Sequence, residues 1–340
     1  MMYRCKAPLR IGLAGGGTDV SPYCDLYGGA ILNATVSQYA YANIEPIQEP
    51  SIYIEALDRK ESEKHSFQKQ LPINGTLDLL KGVYNRIAKE NSLSIPGFRL
   101  STFVDAPAGS GLGTSSTLVV AIIGAFAEML QLPLGEYDIA HMAYEIERRE
   151  LSMAGGRQDQ YAATFGGVNF MEFYASDRVI VNPLRIRQEY LFELENNLVL
   201  YYTSTSRESA KIIAKQTENV VKKAEKSVDA MHQLKLQAQM MKEALLRGKL
   251  DDIGEILDLG FRMKKEMAEG ISNNLMEEIY ESAKNSGATG GKISGAGGGG
   301  FMIFYCPKNT KFAVIETLSK FGGYCKPYQF VDQGMRSWTA

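Results

Sequence analysis

The period of the apolar positions changes along the chain, and those changes outline its elements. Residues 30–36 and 39–44 are rich in β-branched and aromatic side chains and predict strands, as does 51–57. Within 77–90, Leu80, Val83, Tyr84 and Ile87 recur at helical spacing, and 98–104 is a strand that runs directly into a glycine-rich loop. The loop opens a helix over 116–130; a second helix is expected over 137–151, then strands at 168–173 and 179–181. A second half begins within 192–202. It continues with a long helix over 207–247, helices over 250–268 and 274–284, a strand at 301–306, a helix over 311–321 and a strand at 326–331. Strands and helices mixed in both halves predict an α+β fold of two lobes, 1–190 and 191–340, each contributing a glycine loop to a shared cleft.

Composition narrows the function. With 340 residues, 45% of them hydrophobic, the chain can bury a large core and form two domains. Its 37 basic and 39 acidic residues give a net charge of -2, so there is no global field to draw nucleic acid or an anionic membrane, and any anion must be bound locally. The ten Lys and Arg between Arg207 and Lys249 are assigned to a solvated helix face. Four cysteines without a CxxC pair and three distant histidines leave zinc sites and histidine triads poorly supplied. The most apolar run, 118–130, is too short to span a bilayer, and the first residues lack the continuous apolar stretch of a secretory signal. A cytoplasmic protein with small-molecule partners, and neither nucleic acid nor membrane, is expected; a homodimer is left open.

The loop itself carries the strongest chemical signal. Pro107, Ala108, Gly109, Ser110, Gly111, Leu112, Gly113, Thr114, Ser115 and Ser116 lie between a strand and a helix. Glycines let backbone N–H groups converge on phosphate oxygens, the helix N-terminus adds partial positive charge, and a hydroxyl can reach Mg²⁺. The loop lacks the lysine of GxxxxGK[ST], and its glycines run GxGxG where a dinucleotide site has GxGxxG. A GxGxxG spacing does occur from Gly295 through Ala296 and Gly297 to Gly300, but it precedes a strand instead of opening a helix, so a nicotinamide oxidoreductase is rejected.

The run from Pro107 to Ser116 resembles the phosphate loop of the GHMP kinases. Ala7-Pro8-Leu9-Arg10 through Gly15-Gly16-Gly17-Thr18-Asp19 resembles the family's first motif, and Lys292-Ile293-Ser294-Gly295-Ala296-Gly297-Gly298-Gly299 its third. Together the three span nearly the whole chain. The resemblance implies an N-terminal lobe like ribosomal protein S5 domain 2, a ferredoxin-like C-terminal lobe, and ATP with Mg²⁺ bound in the first. It places the metal at Ser115 and Glu147, with Glu145 kept as an alternative, and the catalytic aspartate at Asp159, supported by Arg10. One carboxylate and one hydroxyl suit Mg²⁺, which keeps several waters while bridging phosphates.

For the acceptor, the resemblance implies contacts from Arg10, Gly16, Gly17, Thr18, Asp19, Arg157, Asp159, Gly295, Ala296 and Gly297. Asp19 matches the galactokinase aspartate that grips sugar hydroxyls, and a carboxylate suits two adjacent donors. Galactokinases have Gly-Glu-His where this chain has glycines at 15–17. The pattern is most similar to the D-glycero-D-manno-heptose 7-phosphate kinases, with fucokinases next. An ATP-dependent sugar kinase acting on the anomeric hydroxyl, toward nucleotide-activated heptose, is therefore expected, with fucokinase, a galactokinase-like enzyme and a non-catalytic sugar and ATP sensor as alternatives. A 7-phosphate needs cations at the far end of the pocket, and Arg10, Arg157 and Lys292 stand unranked for that part.

Overall fold

The computed structural model describes residues 1–91, 96–205 and 209–340, and among them two sheets form. The first holds β1 (Tyr3–Ala14), β2 (Gly29–Ile47), β3 (Ser51–Ala56), β4 (Glu61–Ser66), β5 (Gly97–Val104), β6 (Val168–Phe173) and β7 (Val179–Pro183). The second holds β8 (Leu198–Tyr202), β9 (Gly290–Ile293), β10 (Phe301–Tyr305) and β11 (Tyr324–Cys325); a last strand, β12 (Arg336–Thr339), returns to the first. Strand order is β12-β1-β2-β5-β3-β4 in one, with β6 pairing β2 and β7, and β11-β8-β10-β9 in the other. The helices of the first half are α1 (Tyr23–Tyr27), α2 (Asp78–Glu90), α3 (Thr114–Leu130), α4 (Glu136–Glu145) and α5 (Gln158–Phe165). Those of the second are α6 (Gln188–Asn197), α7 (Ser209–Val221), α8 (Glu225–Arg247), α9 (Ile253–Met267), α10 (Asn274–Asn285) and α11 (Lys311–Leu318).

Strand β2 shows how local pattern becomes architecture. Its first eight residues are all buried, and the alternation of one covered face begins only afterwards. The two strands expected at 30–36 and 39–44 are one, and the polar pair Ser37-Gln38 between them is a bulge: β1 pairs Pro8 with Tyr39 and then Leu9 with Val36. A bulge of this kind bends the strand without ending it. Strand β4 is Glu-Ser-Glu-Lys-His-Ser, an edge strand whose charged side chains hide it from a hydrophobic pattern and also guard it against edge pairing.

One core unites β1 and β2 with the second half. Leu9, Ile11, Leu32 and Val36 pack with Leu198, Leu200, Phe301 and Ile303, and with Met241 and Leu257 from α8 and α9. A second core, on the other side of the first sheet, packs α2 and α3 on β2, β3 and β5 through Val83, Tyr84, Phe98, Phe126 and Ile54. The halves therefore share apolar volume under the cleft instead of meeting only at its rim.

Several expectations change. Residues 326–331 form no regular strand; a Val36–Phe330 bridge and scattered backbone hydrogen bonds to Thr35, Ser37, Gly167 and Leu200 tie them down, and the edge strand is β11. Residues 192–197 belong to α6, before β8. The long helix over 207–247 is two helices, α7 and α8, and its expected start at Arg207 lies outside the described residues. The last residues of the span 191–340 leave the second lobe, because β12 adds to the edge of β1. There Ser337 and Thr339 donate hydrogen bonds to the Glu128 carboxylate of α3.

Phe126 tests the first core: its ring lies 5.6 Å from Phe98 and 6.4 Å from Tyr84, with none of it exposed. Phe126→Ala is expected to lower stability by about 3–5 kcal/mol. The single tryptophan, Trp338, sits on β12 of the same sheet, so its fluorescence during urea unfolding should show the lower midpoint.

Candidate active site

Strand β5 delivers the chain at Val104 and α3 begins at Thr114, so the glycine loop ends on a helix N-terminus. Gly111 adopts φ +85°, and a Cβ there would meet the Ser294 carbonyl oxygen at 2.5 Å. The Phe301 N–H donates to the Ser110 carbonyl at 2.8 Å and the Ser294 hydroxyl to the Gly111 carbonyl at 2.8 Å. The two glycine loops thus touch backbone to backbone, an approach that any side chain at 111 would block.

Two spaces meet at this loop. A cavity of about 430 Å³ is walled by Ala56, Ile73, Leu77, Leu80, Val104, Ala106, Ala108, Leu118 and Leu151. A cleft of about 630 Å³ is walled by Gly109, Gly111, Gly113, Ser116, Arg10, Asp19, Glu147, Arg148, Asp159, Lys264, Gly295 and Ala296. Thr114, Ser115 and Met153 border both. Asp58, Arg59, Glu61 and Asp78 also line the first, so both spaces carry charged residues beside apolar walls, with the N-terminal residues of α3 between them.

Arg10, buried on β1, holds the charged side together. Its Nε donates to Asp159 Oδ1 at 2.7 Å, its second terminal nitrogen lies 2.6 Å from the same oxygen, and the first donates to the Gly111 carbonyl at 2.6 Å. Oδ2 of Asp159 takes no part in that pair and faces the Gly113 Cα, where a Cβ would come to 3.2 Å. Asp159 is in the first turn of α5, and Asp19 sets that turn: its Oδ2 accepts the backbone N–H of Arg157 at 2.8 Å and of Gln158 at 3.0 Å. Burial pushes the Asp19 carboxyl above its usual range, against the pull of those N–H donors. Gly156 is obligatory here, since its missing Cβ would occupy the Asp19 carboxylate.

Glu147 and Glu145 have opposite surroundings. After α4 the chain widens into a π-helical turn, Ile146–Glu150, a distortion frequent at functional sites. Glu145 faces outward and pairs with Arg86 and Arg149. Glu147 is fully buried; its Oε2 accepts from the Gln160 amide at 2.5 Å, while Oε1 is buried without a hydrogen-bond donor among the described residues. Burial raises its pKa, with Arg148, at 3.6 Å, opposing that shift. A buried carboxylate oxygen with no hydrogen-bond donor, linked to Ser116 through the Gln160 amide and bordering the same cleft as Ser115, fits a divalent cation that brings its own waters.

Three predicted contacts fall elsewhere. The Arg157 side chain turns from the cleft to Asp25, Ser21 and the Tyr174 carbonyl, at 2.9, 3.0 and 2.9 Å, and only its backbone N–H serves the site. The Thr18 hydroxyl donates to the Gly15 and Ala30 carbonyls, which fixes the turn. Gly297 packs under Ile271 and does not border the cleft. Sequence reasoning missed Arg148 and Lys264. Lys264 had a readable signal: it interrupts the apolar stripe Ile253, Leu257, Gly260, Phe261 and Met267 on one face of α9.

A phosphate loop facing a carboxylate fixed by arginine is the equipment of a phosphotransferase for small molecules. Residues 78–167 match the GHMP kinases N terminal domain and 241–323 match GHMP kinases C terminal. The chain belongs to the GHMP kinase family, whose members use ATP as phosphoryl donor. It is 48% identical over 335 residues to the D-glycero-alpha-D-manno-heptose 7-phosphate kinase of Campylobacter jejuni, covering 98% of each chain. A D-glycero-D-manno-heptose 1-phosphate kinase from Bacteroides thetaiotaomicron superposes with TM-score 0.85 at 43% identity, covering 99% of both chains. The bifunctional fucokinase/GDP-fucose pyrophosphorylase of Arabidopsis thaliana is 25% identical over 88% of this chain, which spans 29% of that protein.

The raised Glu147 pKa has a sign that can be checked. A carboxyl whose folded pKa exceeds its unfolded value supports the fold at low pH and withdraws that support as pH rises through the folded value. Without nucleotide, Glu147→Gln should therefore raise Tm at pH 7 to 8, and the difference from the parent protein should shrink as pH falls toward the ordinary carboxyl range. With ATP and Mg²⁺ present, the parent should gain more in Tm than the variant. Thermal melts across pH, with and without the nucleotide, check both.

Proposed function

We propose that this chain transfers the γ-phosphoryl group of ATP to the anomeric hydroxyl of D-glycero-D-manno-heptose 7-phosphate. The observation that carries the reading is the Arg10–Asp159 pair at the mouth of the glycine loop, with one carboxylate oxygen kept clear of the arginine. The kinship to the Campylobacter kinase at 48% identity supports the choice of sugar.

In this reading the apolar walls of the first cavity would take the adenine ring, a flat apolar group that needs few polar partners. The triphosphate would lie along Gly109–Gly113 toward the α3 N-terminus, where backbone N–H groups and the helix dipole favour anions. Ser115 and Glu147 would hold Mg²⁺, which when bound neutralises charge on the β- and γ-phosphates.

The acceptor oxygen would attack the γ-phosphorus, the bond to the β-phosphate oxygen would break to release ADP, and the acceptor proton would pass to Asp159 Oδ2. Arg10 fixes the rotamer of that carboxylate through Oδ1, so its main contribution is position; a loose phosphoryl-transfer transition state asks little of a base early on. Arg148, which donates to the Gly156 carbonyl at 3.2 Å and reaches toward Ser116, can stabilise charge on the transferring group.

An ADP-release assay of the pure protein with heptose 7-phosphate, fucose, galactose, mannose and mevalonate should show turnover with the heptose phosphate above the others. ³¹P NMR should then find a new sugar phosphate whose phosphorus couples to the anomeric proton. Asp159→Asn should lower kcat by about 10²–10⁴-fold, while ATP affinity by calorimetry stays within a few fold. Unchanged turnover in that variant would remove Asp159 from the chemistry.

A further inference from the structure

The cleft has a far end, beyond Arg10 and Asp159, where Gly17, α7 and α9 meet the Gly295–Ala296 turn. One cation stands there that the transfer step does not use. Lys264 borders the cleft although it is only 3% exposed, on the α9 face that is otherwise apolar. Its ammonium donates to the Gly295 carbonyl, and among the described residues no carboxylate oxygen pairs with it within salt-bridge distance. A methyl group at Gly16 would lie 3.6 Å from Nζ, so the glycine leaves that side of the ammonium uncovered. Gln216 of α7, also buried, borders the same end.

The other cations nearby are committed. Arg10 is bound to Asp159 and the Gly111 carbonyl, and Arg157 to Asp25 and Ser21. Lys292 donates to the Gly12 carbonyl at 2.7 Å and does not border the cleft. Of the three residues proposed from sequence for a distal phosphate, none has an uncommitted charge directed at this end.

We propose that Lys264 binds the distal phosphate of the acceptor and thereby selects a phosphorylated sugar over the same sugar without its phosphate. The identity of the sugar rests on the heptose 7-phosphate reading; the anion site rests on the cleft alone. An ammonium with one carbonyl partner keeps N–H donors for phosphate oxygens, and its burial strengthens the pair because little water screens it. Gly16 matters for the same reason: a side chain there would lie against the ammonium. Burial, with the nearby Arg10 charge and against the pull of the Asp19 carboxylate, also lowers the Lys264 pKa to about 8, so its charge is sensitive to pH near neutrality and is favoured by an anion.

The test compares kcat/KM for heptose 7-phosphate and for heptose, in the parent protein, Lys264→Met and Lys264→Arg. In Lys264→Met the preference for the phosphorylated acceptor should fall by about 100-fold or more, the scale expected when one partner of a buried charge pair is removed. A lysine that only tied α9 to the Gly295 turn would depress both substrates alike and leave the ratio intact, which would overturn the assignment. The second measurement does not depend on the Met variant folding. In the parent protein KM for the phosphorylated acceptor should rise as pH passes about 8, above the range in which the sugar phosphate itself titrates, near about 6. Lys264→Arg, charged throughout, should lack that rise; an identical rise in both proteins would count against Lys264. The heptose reading fails separately: if the parent protein ignores heptose 7-phosphate but prefers another phosphorylated sugar, such as mannose 6-phosphate over mannose, the same ratio on that pair judges Lys264. A parent protein with no preference for any phosphorylated sugar overturns the Lys264 proposal.

Discussion

The guanidinium of Arg10 is the point on which the site depends. It reaches from β1 to the first turn of α5 and to the glycine loop, binding Asp159 Oδ1 and the Gly111 carbonyl while its own backbone N–H takes the Leu112 carbonyl. A planar guanidinium with five donors in a fixed fork satisfies two acceptors on different elements with little freedom to turn, which the rotating ammonium of a lysine does not match. Breaking this contact would loosen the loop and the carboxylate together, so one residue couples the positions of Gly111 and Asp159. Asp19 completes the arrangement from behind, because the N–H groups it accepts begin the helix that carries Asp159. Two acidic residues that sequence reasoning treats as parallel ligands are thus in series, one positioning the other.

That arrangement stays put because the halves of the chain are not independent. The core beneath the cleft mixes β1 and β2 with β8, β10, α8 and α9, and the glycine loops lie backbone against backbone above it. Close-packed apolar contacts have low compressibility and transmit strain, so they resist partial opening. The return of β12 to the edge of β1 adds a covalent tie in the same sense, since the chain must cross from the second lobe to reach it.

Most of the elements were legible because their periods are strong, and so was the phosphate loop, where strand, glycines and helix follow in order. Asp159 and Glu147 were legible only through resemblance, since a carboxylate in the first turn of a helix or beside two arginines looks ordinary in isolation. What failed, failed for physical reasons. Residues 326–331 have strand composition, but their backbone bonds are divided among Thr35, Ser37, Gly167 and Leu200 and form no continuous ladder, and pairing decides strands more than propensity does. Arg157 was placed correctly along the chain, yet its side chain found Asp25, and sequence distance does not tell which way a long side chain runs. Lys264 was missed although its signal was present: it lies past the basic stretch of 207–249, on a helix whose charged positions were not sorted by face.

The charges of the cleft also explain why binding and stability should be linked. Asp19 and Glu147 have carboxyls pushed up by burial, Lys264 has an ammonium pushed down by burial and by the Arg10 charge, and Lys292, outside the cleft lining, is pushed down by burial and by the charges of Lys264 and Arg10. Each of those shifts means that the protein alone holds the charged form at some cost. A ligand carrying the complementary charge lowers that cost in the folded state only, and so stabilises the fold as it binds. In the proposed reading the cation would sit beside the buried carboxylate and the anions beside the buried ammonium and the loop N–H groups. A nucleotide with its metal and a phosphorylated acceptor would then relieve opposite ends of one electrostatic conflict, joined at Arg10. Each would favour the arrangement of Arg10 and Asp159 that the other needs, which is a coupling carried by charge and does not require the lobes to move.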